Sequence, residues 1–212
     1  MSFRTRVKIC GVRDAETARV AADAGADAIG LVFVPGTPRF VEPDDAAEIM
    51  FALPPFVTAV GVVRDLSIDD FSDLEQKCPC PLMQLHGDEA DATVSACGPG
   101  VVKAIAFEPQ TIESDLRRWS RIAEVDAVLV DGPRAGSGEA IDWHRLAAAM
   151  ANVAAPKPLI LAGGLTAENV GEAISIVRPF AVDVSSGVEA DKGVKDPAKI
   201  AAFCAAVRRV NA

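Results

Sequence analysis

Lys8 and Cys10 stand two residues apart in the short apolar run "VKIC". In a β-strand that spacing puts both side chains on one face. A lysine beside a thiol favours the thiolate, and a thiolate can accept a proton. On spacing alone, Cys10 is equally well read as a small buried hydrophobe. Asp131 ends another apolar run, "DAVLVD", just before the polar stretch "GPRAGSGEAI". A carboxyl facing a thiol makes an acid and base pair; the competing reading is a cap on the Gly132-Pro133 turn. Two further runs end in residues suited to an anion. "PLILAGG" closes on Gly163 and Gly164, and "FAVDVSS" carries Asp183 inside it and closes on Ser185, Ser186 and Gly187. Glycines let backbone N–H groups come close to an oxyanion, and hydroxyls add donors. The alternative is a plain turn and a helix cap. Arg39, in "PGTPRF", offers a guanidinium fork for a carboxylate or phosphate, or is simply a solvated loop residue.

These residues need elements that bring them to one place. Apolar, β-branched runs at 7–10, 27–33, 57–63, 81–86, 101–107, 126–131, 158–164 and 180–186 alternate with amphipathic stretches. The stretches lie at 14–25, 43–53, 67–77, 88–97, 111–123, 142–150, 166–177 and 197–210, several opening on Asp, Ser or Thr caps. Strand and helix in alternation imply parallel pairing, and this many units imply an α/β fold closed as a single (β/α)8 TIM barrel. A doubly wound open sheet ranks second, because it needs fewer strands and usually a glycine-rich first turn, where only Gly11 stands here. A barrel puts its chemistry at the C-terminal ends of its strands, with phosphate commonly after strands seven and eight. Every residue singled out above falls at such an end or in the loop after it. Asp27 and Asp126 fall at strand starts, away from the chemistry, and read as caps or loop ligands. His86 ends strand four and reads as a hydrogen-bonded wall residue rather than a catalytic one.

Composition sets the remaining bounds. The 212 residues are half hydrophobic, with no linker-like segment, so residues 1–212 read as one domain. A net charge of −9 argues against nucleic acid or an acidic membrane as partner. No apolar run is long enough for a membrane span or leader, and an odd count of five cysteines fits reduced thiols, so a cytoplasmic location is expected. Cys78-Pro79-Cys80-Pro81 lacks the second cysteine pair or histidines that a zinc site needs, so no metal is expected.

Taken in order, "KICG", "GADAIGLVF", "TPRF", "LPPFVTAVGVV", "QLHG", "VLVD", "LAGGLTAENV" and "RPFAVDVSSGVE" resemble the phosphoribosylanthranilate isomerase family of tryptophan biosynthesis, from about Val7 to Asp196. The resemblance implies a barrel that works without a cofactor on one small phosphorylated substrate, as a monomer or homodimer. It implies Cys10 as general base, Asp131 as general acid and Arg39 against the anthranilate carboxylate. It gives the phosphate to the loops around Gly163-Gly164 and Ser185-Ser186-Gly187. The loop after Asp131 departs from the family pattern, with Ile141 where an aromatic is usual, so Gly136 and Gly138 receive no role. The chain has no tyrosine, which leaves stacking on the anthranilate ring to phenylalanine or aliphatic groups. Two other readings share the phosphate cup: a different phosphate-binding barrel enzyme, and a non-catalytic barrel that binds a phosphorylated metabolite.

Overall fold

The computed structural model describes residues 4–132 and 141–211; Gly136 and Gly138 lie outside them. Eight parallel strands close into a barrel in sequence order: β1 Arg6–Cys10, β2 Ala28–Val32, β3 Thr58–Val63, β4 Leu82–Leu85, β5 Val101–Ala106, β6 Val125–Asp131, β7 Leu159–Leu161 and β8 Ala181–Val184. Pairing of β1 with β8, Lys8 opposite Asp183, closes the ring. Helices α1 Ala15–Ala24, α2 Pro43–Phe51, α3 Ile68–Lys77, α4 Asp91–Ala96, α5 Ile112–Trp119, α6 Trp143–Ala151, α7 Val170–Val177 and α8 Pro197–Asn211 cover the outside. The barrel expected from the alternation is therefore the fold observed.

Local sequence explains where the helices start. Asp14, Ser67 and Asp142 cap α1, α3 and α6 through side-chain oxygens that accept from backbone N–H groups. Helices α4 and α7 are shorter than their amphipathic stretches. Glu89 is drawn off to Lys103 before α4 begins, and Asn169 spends its side chain on Thr166 N–H and the Gly164 carbonyl before α7.

Strand parity sorts the core into two layers. Val7, Ile9, Met83, Leu85, Val182 and Val184 face outward into the large cluster shared with the helices. Val102, Ala104, Ala127, Leu129, Ile160, Ala162 and Ala181 fill part of the interior. Cys10 shares a third small cluster with Val32 and Val62. Lys8, Gln84 and Asp183 are buried too, and their hydrogen bonds to one another form a polar layer inside the barrel. At the barrel start, Asp27 accepts from Val7 N–H and pairs with Arg4, as a loop ligand should. After β8 the chain adds a hairpin that the sequence pattern did not suggest, β9 Glu189–Asp191 with β10 Val194–Lys195. Strands this short carry no readable periodicity.

Candidate active site

Cys10 ends β1 facing inward. A Cβ on Gly30, on the neighbouring strand, would lie 2.7 Å from its sulfur, so the glycine makes the thiol's space. Beneath it, Lys8 Nζ donates to Gln84 Oε1 at 3.0 Å and to Asp183 Oδ1 at 2.9 Å. Burial works against the charge on Lys8, but Asp183 and Cys10 together outweigh it and hold the ammonium above its usual range. The effect on Cys10 corrects the expectation of a ready-made thiolate. Burial pushes the Cys10 thiol up, Lys8 and Lys195 pull it down, and Asp183 pushes it up again, with a net rise. Lys8 does stand beside the thiol, but its carboxylate partner offsets much of its help.

Asp131 ends β6, and its Oδ1 accepts from Gly132 N–H at 2.8 Å. Its Oδ2 stands 3.6 Å from His86 Nε2. Cys10 and Asp131 line one cavity of about 280 Å³, with Arg39, His86 and Ser185 among its walls. The spacing of strand ends thus brings the two candidate proton-transfer groups to one hollow.

A smaller hollow of about 50 Å³ adjoins it, lined by Gly163, Gly164, Ser185, Ser186 and Gly187 together with Arg39, Asp131 and Asp183. Gly163 and Gly164 both hold positive φ, +82° and +62°. A Cβ on Gly163 would lie 2.6 Å from Gly132 N, and one on Gly187 would lie 2.0 Å from Leu165 O. Any larger residue would force the loops after β6, β7 and β8 apart. Ser185 does more than border the hollow: its hydroxyl donates to the Cys10 carbonyl at 3.0 Å and ties β8 to β1. Asp183 reaches both hollows from below while paired with Lys8.

Arg39 is not a solvated loop residue. Its stem lies across Gly11, where a Cβ would come 2.6 Å from Arg39 Cδ. Its fork closes on Glu189, Nε to Oε1 at 2.8 Å and Nη2 to Oε2 at 3.0 Å. Lys195 Nζ donates to the same Glu189 Oε1 at 2.9 Å and to the Ser185 carbonyl at 3.0 Å. Burial opposes the charge on Glu189, but Arg39 and Lys195 outweigh it and hold the carboxyl at about 2. Arg39 and Lys195 share the one carboxylate of Glu189, while Asp183 in the wall of the small hollow is paired with Lys8. Asp131 also lines it, so what the hollow offers an anion is the Arg39 guanidinium with the loop backbone and hydroxyls. Sequence reasoning missed Glu189 and Lys195. The signals were the family-like run "RPFAVDVSSGVE", which ends on Glu189, and the charges of "VEADKGVK", where the β9–β10 hairpin sets Lys195 opposite Glu189.

Cys78 and Cys80 are buried with their sulfurs 3.8 Å apart, and among the described residues no cluster of His, Cys, Asp or Glu is arranged to hold a metal. No helix among them is long and apolar enough to cross a membrane.

Known proteins share this sequence and this fold. The family model for N-(5'phosphoribosyl)anthranilate (PRA) isomerase matches residues 7–206. An N-(5'-phosphoribosyl)anthranilate isomerase of Acidithiobacillus ferrooxidans is 45% identical over 208 residues, covering 96% of this chain and 97% of its own. That of Herminiimonas arsenicoxydans is 41% identical over 224 residues, covering 100% and 96%. The crystal structure of phosphoribosyl anthranilate isomerase from Thermotoga maritima superimposes with a TM-score of 0.87 at 35% identity, over 97% of this chain and 99% of that one. A structure of the isomerase in complex with reduced 1-(o-carboxyphenylamino)-1-deoxyribulose 5-phosphate matches with a TM-score of 0.83 at 36% identity, over the same shares. On sequence over its full length and on fold, this chain belongs to the N-(5'-phosphoribosyl)anthranilate isomerase family.

Proposed function

We propose that this chain, as an isomerase of tryptophan biosynthesis, carries out the Amadori rearrangement of N-(5'-phosphoribosyl)anthranilate to 1-(o-carboxyphenylamino)-1-deoxyribulose 5-phosphate, with Asp131 as general acid and Cys10 as general base. The observation that carries the assignment is the shared cavity of Cys10 and Asp131, opening beside the glycine and serine hollow. The phosphate takes that hollow, between Gly163-Gly164 and Ser185-Ser186-Gly187, with Asp183 beneath. Arg39, held by Glu189, faces the anthranilate carboxylate. Anchoring both ends places the reacting carbons between acid and base.

Asp131, protonated, gives its proton to the furanose oxygen as the C1–O bond breaks, leaving a protonated Schiff base. Cys10 as thiolate then takes the proton from C2, and the enolamine tautomerises to the ketone. Each cycle leaves Asp131 ionised and Cys10 protonated, so a proton returns from thiol to carboxyl through product or solvent. A thiol raised by burial keeps that proton until substrate is seated and then passes it to the Asp131 carboxylate through substrate or solvent, which leaves the acid protonated and Cys10 a thiolate before the C1–O bond breaks. The empty enzyme therefore holds Cys10 as a thiol at neutral pH.

The chain is read as a cytoplasmic protein, a monomer or homodimer, that binds neither nucleic acid nor membrane. A T. maritima isomerase of similar fold is described as dimeric, and sedimentation velocity over a range of concentrations decides the state here.

Restored growth of a tryptophan auxotroph lacking the isomerase, followed by assay of purified variants, tests the reading. Cys10→Ser and Asp131→Asn should each keep the fold and lose at least about 10²-fold in kcat. A non-catalytic binding barrel would bind the product analogue and be indifferent to both changes. Iodoacetamide should label Cys10 slowly at pH 7 and faster as the pH climbs toward the raised thiol pKa. Rapid labelling at pH 7 would show a thiolate already formed in the empty site.

A further inference from the structure

A line of hydrogen bonds crosses the barrel interior from Lys8 toward Asp131, and its chemistry allows only one direction. Lys8 Nζ is an ammonium, a donor with nothing to accept. The Gln84 atom 3.0 Å from it must therefore be the amide oxygen, Oε1. That fixes the other end of the amide as Nε2, which can only donate. Nε2 lies 2.9 Å from His86 Nδ1, so Nδ1 must be the bare acceptor nitrogen. A neutral imidazole with Nδ1 bare carries its proton on Nε2, and Nε2 faces Asp131 Oδ2. Gln84 and His86 sit two apart on β4 and in the turn after it, so strand parity alone gives them this common face.

The surroundings keep His86 neutral. Burial and the cations Lys8, Arg64 and Lys103 disfavour the imidazolium; Asp183 favours it but is outweighed, and the pKa falls to about 4. Gln84 is 1% exposed, and neither of its head-group atoms has room to change partners with solvent.

We propose that Lys8 and Gln84 lock His86 in its Nε2–H tautomer, and that His86 is thereby a positioning residue for Asp131, donating to the carboxylate that forms when Asp131 gives up its proton. The inference rests on Asp131 being the general acid of the proposed reaction. At 3.6 Å the contact is outside hydrogen-bond range in the empty site. Catalytic contacts of this kind commonly shorten only when substrate is seated. A donor that engages the carboxylate more than the acid helps the proton leave, so its benefit falls on kcat rather than on binding.

The tautomer can be read without turnover. The chain has two histidines, and His144 is exposed on α6, so His144→Gln leaves one imidazole to observe. Two-bond ¹H–¹⁵N spectra of this variant at pH 7 should show Nδ1 bare and Nε2 protonated. A proton on Nδ1, or an imidazolium, would overturn the proposal outright. Gln84→Glu then reverses the chain: a carboxylate accepts from Lys8 and from His86 alike, so the imidazole proton must move to Nδ1. The spectrum should flip, and kcat should fall ten- to hundredfold with KM within about threefold. Gln84→Met ends the chain at similar volume, and it should lose the single tautomer and lower kcat in the same way. In an Asp131→Asn background, read by single-turnover at high enzyme concentration, Gln84→Glu should cost nothing further. A flipped tautomer with unchanged kcat, or an equal loss with and without Asp131, sinks the positioning role. Near-normal turnover of Asp131→Asn alone would instead remove the acid assignment, while the spectrum still decides the tautomer.

Discussion

Two lysines on the barrel strands are buried, each against a carboxylate, and they do different work. Lys8 on β1 meets Asp183 at 2.9 Å and Lys103 on β5 meets Glu89 at 2.6 Å. Lys8 shares the parity of Cys10 and faces inward, beneath the cavity that holds the thiol and Asp131. Lys103 sits between Val102 and Ala104, which face inward, and so itself faces out. There it donates to the Leu85 and Gly87 carbonyls and approaches the Trp119 ring at 5.4 Å. It staples the turn between β4 and α4. A buried ion pair is therefore no mark of chemistry by itself; the side of the sheet decides what it can touch.

Replacing each lysine separates the two roles, and carries the largest effects expected. Lys8→Met and Lys103→Met each leave a carboxylate buried without its cation, at a cost of about 3–5 kcal/mol in unfolding free energy. Urea titration reads both losses. Activity per folded molecule should fall at least about tenfold for Lys8→Met, since the thiol loses a cation and His86 loses its lock. For Lys103→Met it should stay within a few-fold. Equal losses of activity would show that parity does not divide the pairs.

Glu189 extends the comparison to the mouth of the barrel. Its carboxyl ionises at about 2 in the folded protein against an ordinary 4.5, so the stabilisation is present above pH 4.5 and is lost as the pH falls toward 2. The shift corresponds to on the order of 3 kcal/mol. Glu189→Gln should remove that dependence, seen as a flatter fall of the urea midpoint between about pH 5 and pH 3. Glu89 is also held low: burial opposes its charge, but Lys103 and backbone N–H donors together outweigh burial. Its contribution has the same sign and fades on the same acid side.

What the sequence made legible follows from period-two alternation. Lys8 with Cys10, Asp131, Gly163-Gly164 and Ser185-Ser186 all lie at strand ends, and a closed barrel collects such ends at one face. The Arg39–Glu189 fork spans 150 residues, and nothing local in "TPRF" says what its partner is. The same holds for Lys195, whose burial depends on a hairpin of three and two residues. The direction of the Cys10 shift depends first on how deeply the thiol is buried and then on how far Asp183 offsets the pull of Lys8, and spacing supplies neither. His86 read as a wall residue because its two partners come from separate places: Gln84 beside it in sequence, and Asp131 on a distant strand.

Arg39 gives the next smaller effect. Arg39→Ala should weaken binding of the reduced product analogue about ten- to hundredfold, the worth of a charge-assisted hydrogen bond of roughly 1.5–3 kcal/mol. Arg39→Lys should recover little, because one ammonium cannot close the two-point fork on Glu189 and still face the ligand. Calorimetric titration with the analogue measures both. Unchanged affinity in Arg39→Ala would make the arginine a structural clamp alone.

The smallest effect comes from a carboxylate two residues along from Glu89. Asp91 pairs with Arg118, Nε to Oδ1 at 2.7 Å, and the Arg118 guanidinium lies 4.3 Å from the centroid of the same Trp119 ring that Lys103 approaches. The partners resemble those of the buried pair, but the Arg118 and Asp91 side chains are 48% and 55% exposed, where Lys103 and Glu89 are 3% and 3%. Water screens the outer pair and salt screens it further, so a double-mutant cycle of Asp91→Asn with Arg118→Met should give a coupling of about 0–1 kcal/mol that shrinks in 1 M salt. Glu89→Gln with Lys103→Met, in the same cycle, should couple several times more strongly and respond little to salt, because each single change strands a buried charge or donor. Similar coupling in the two cycles would mean that burial does not set the strength of these pairs, and the contrast drawn between Lys8 and Lys103 would lose its electrostatic basis.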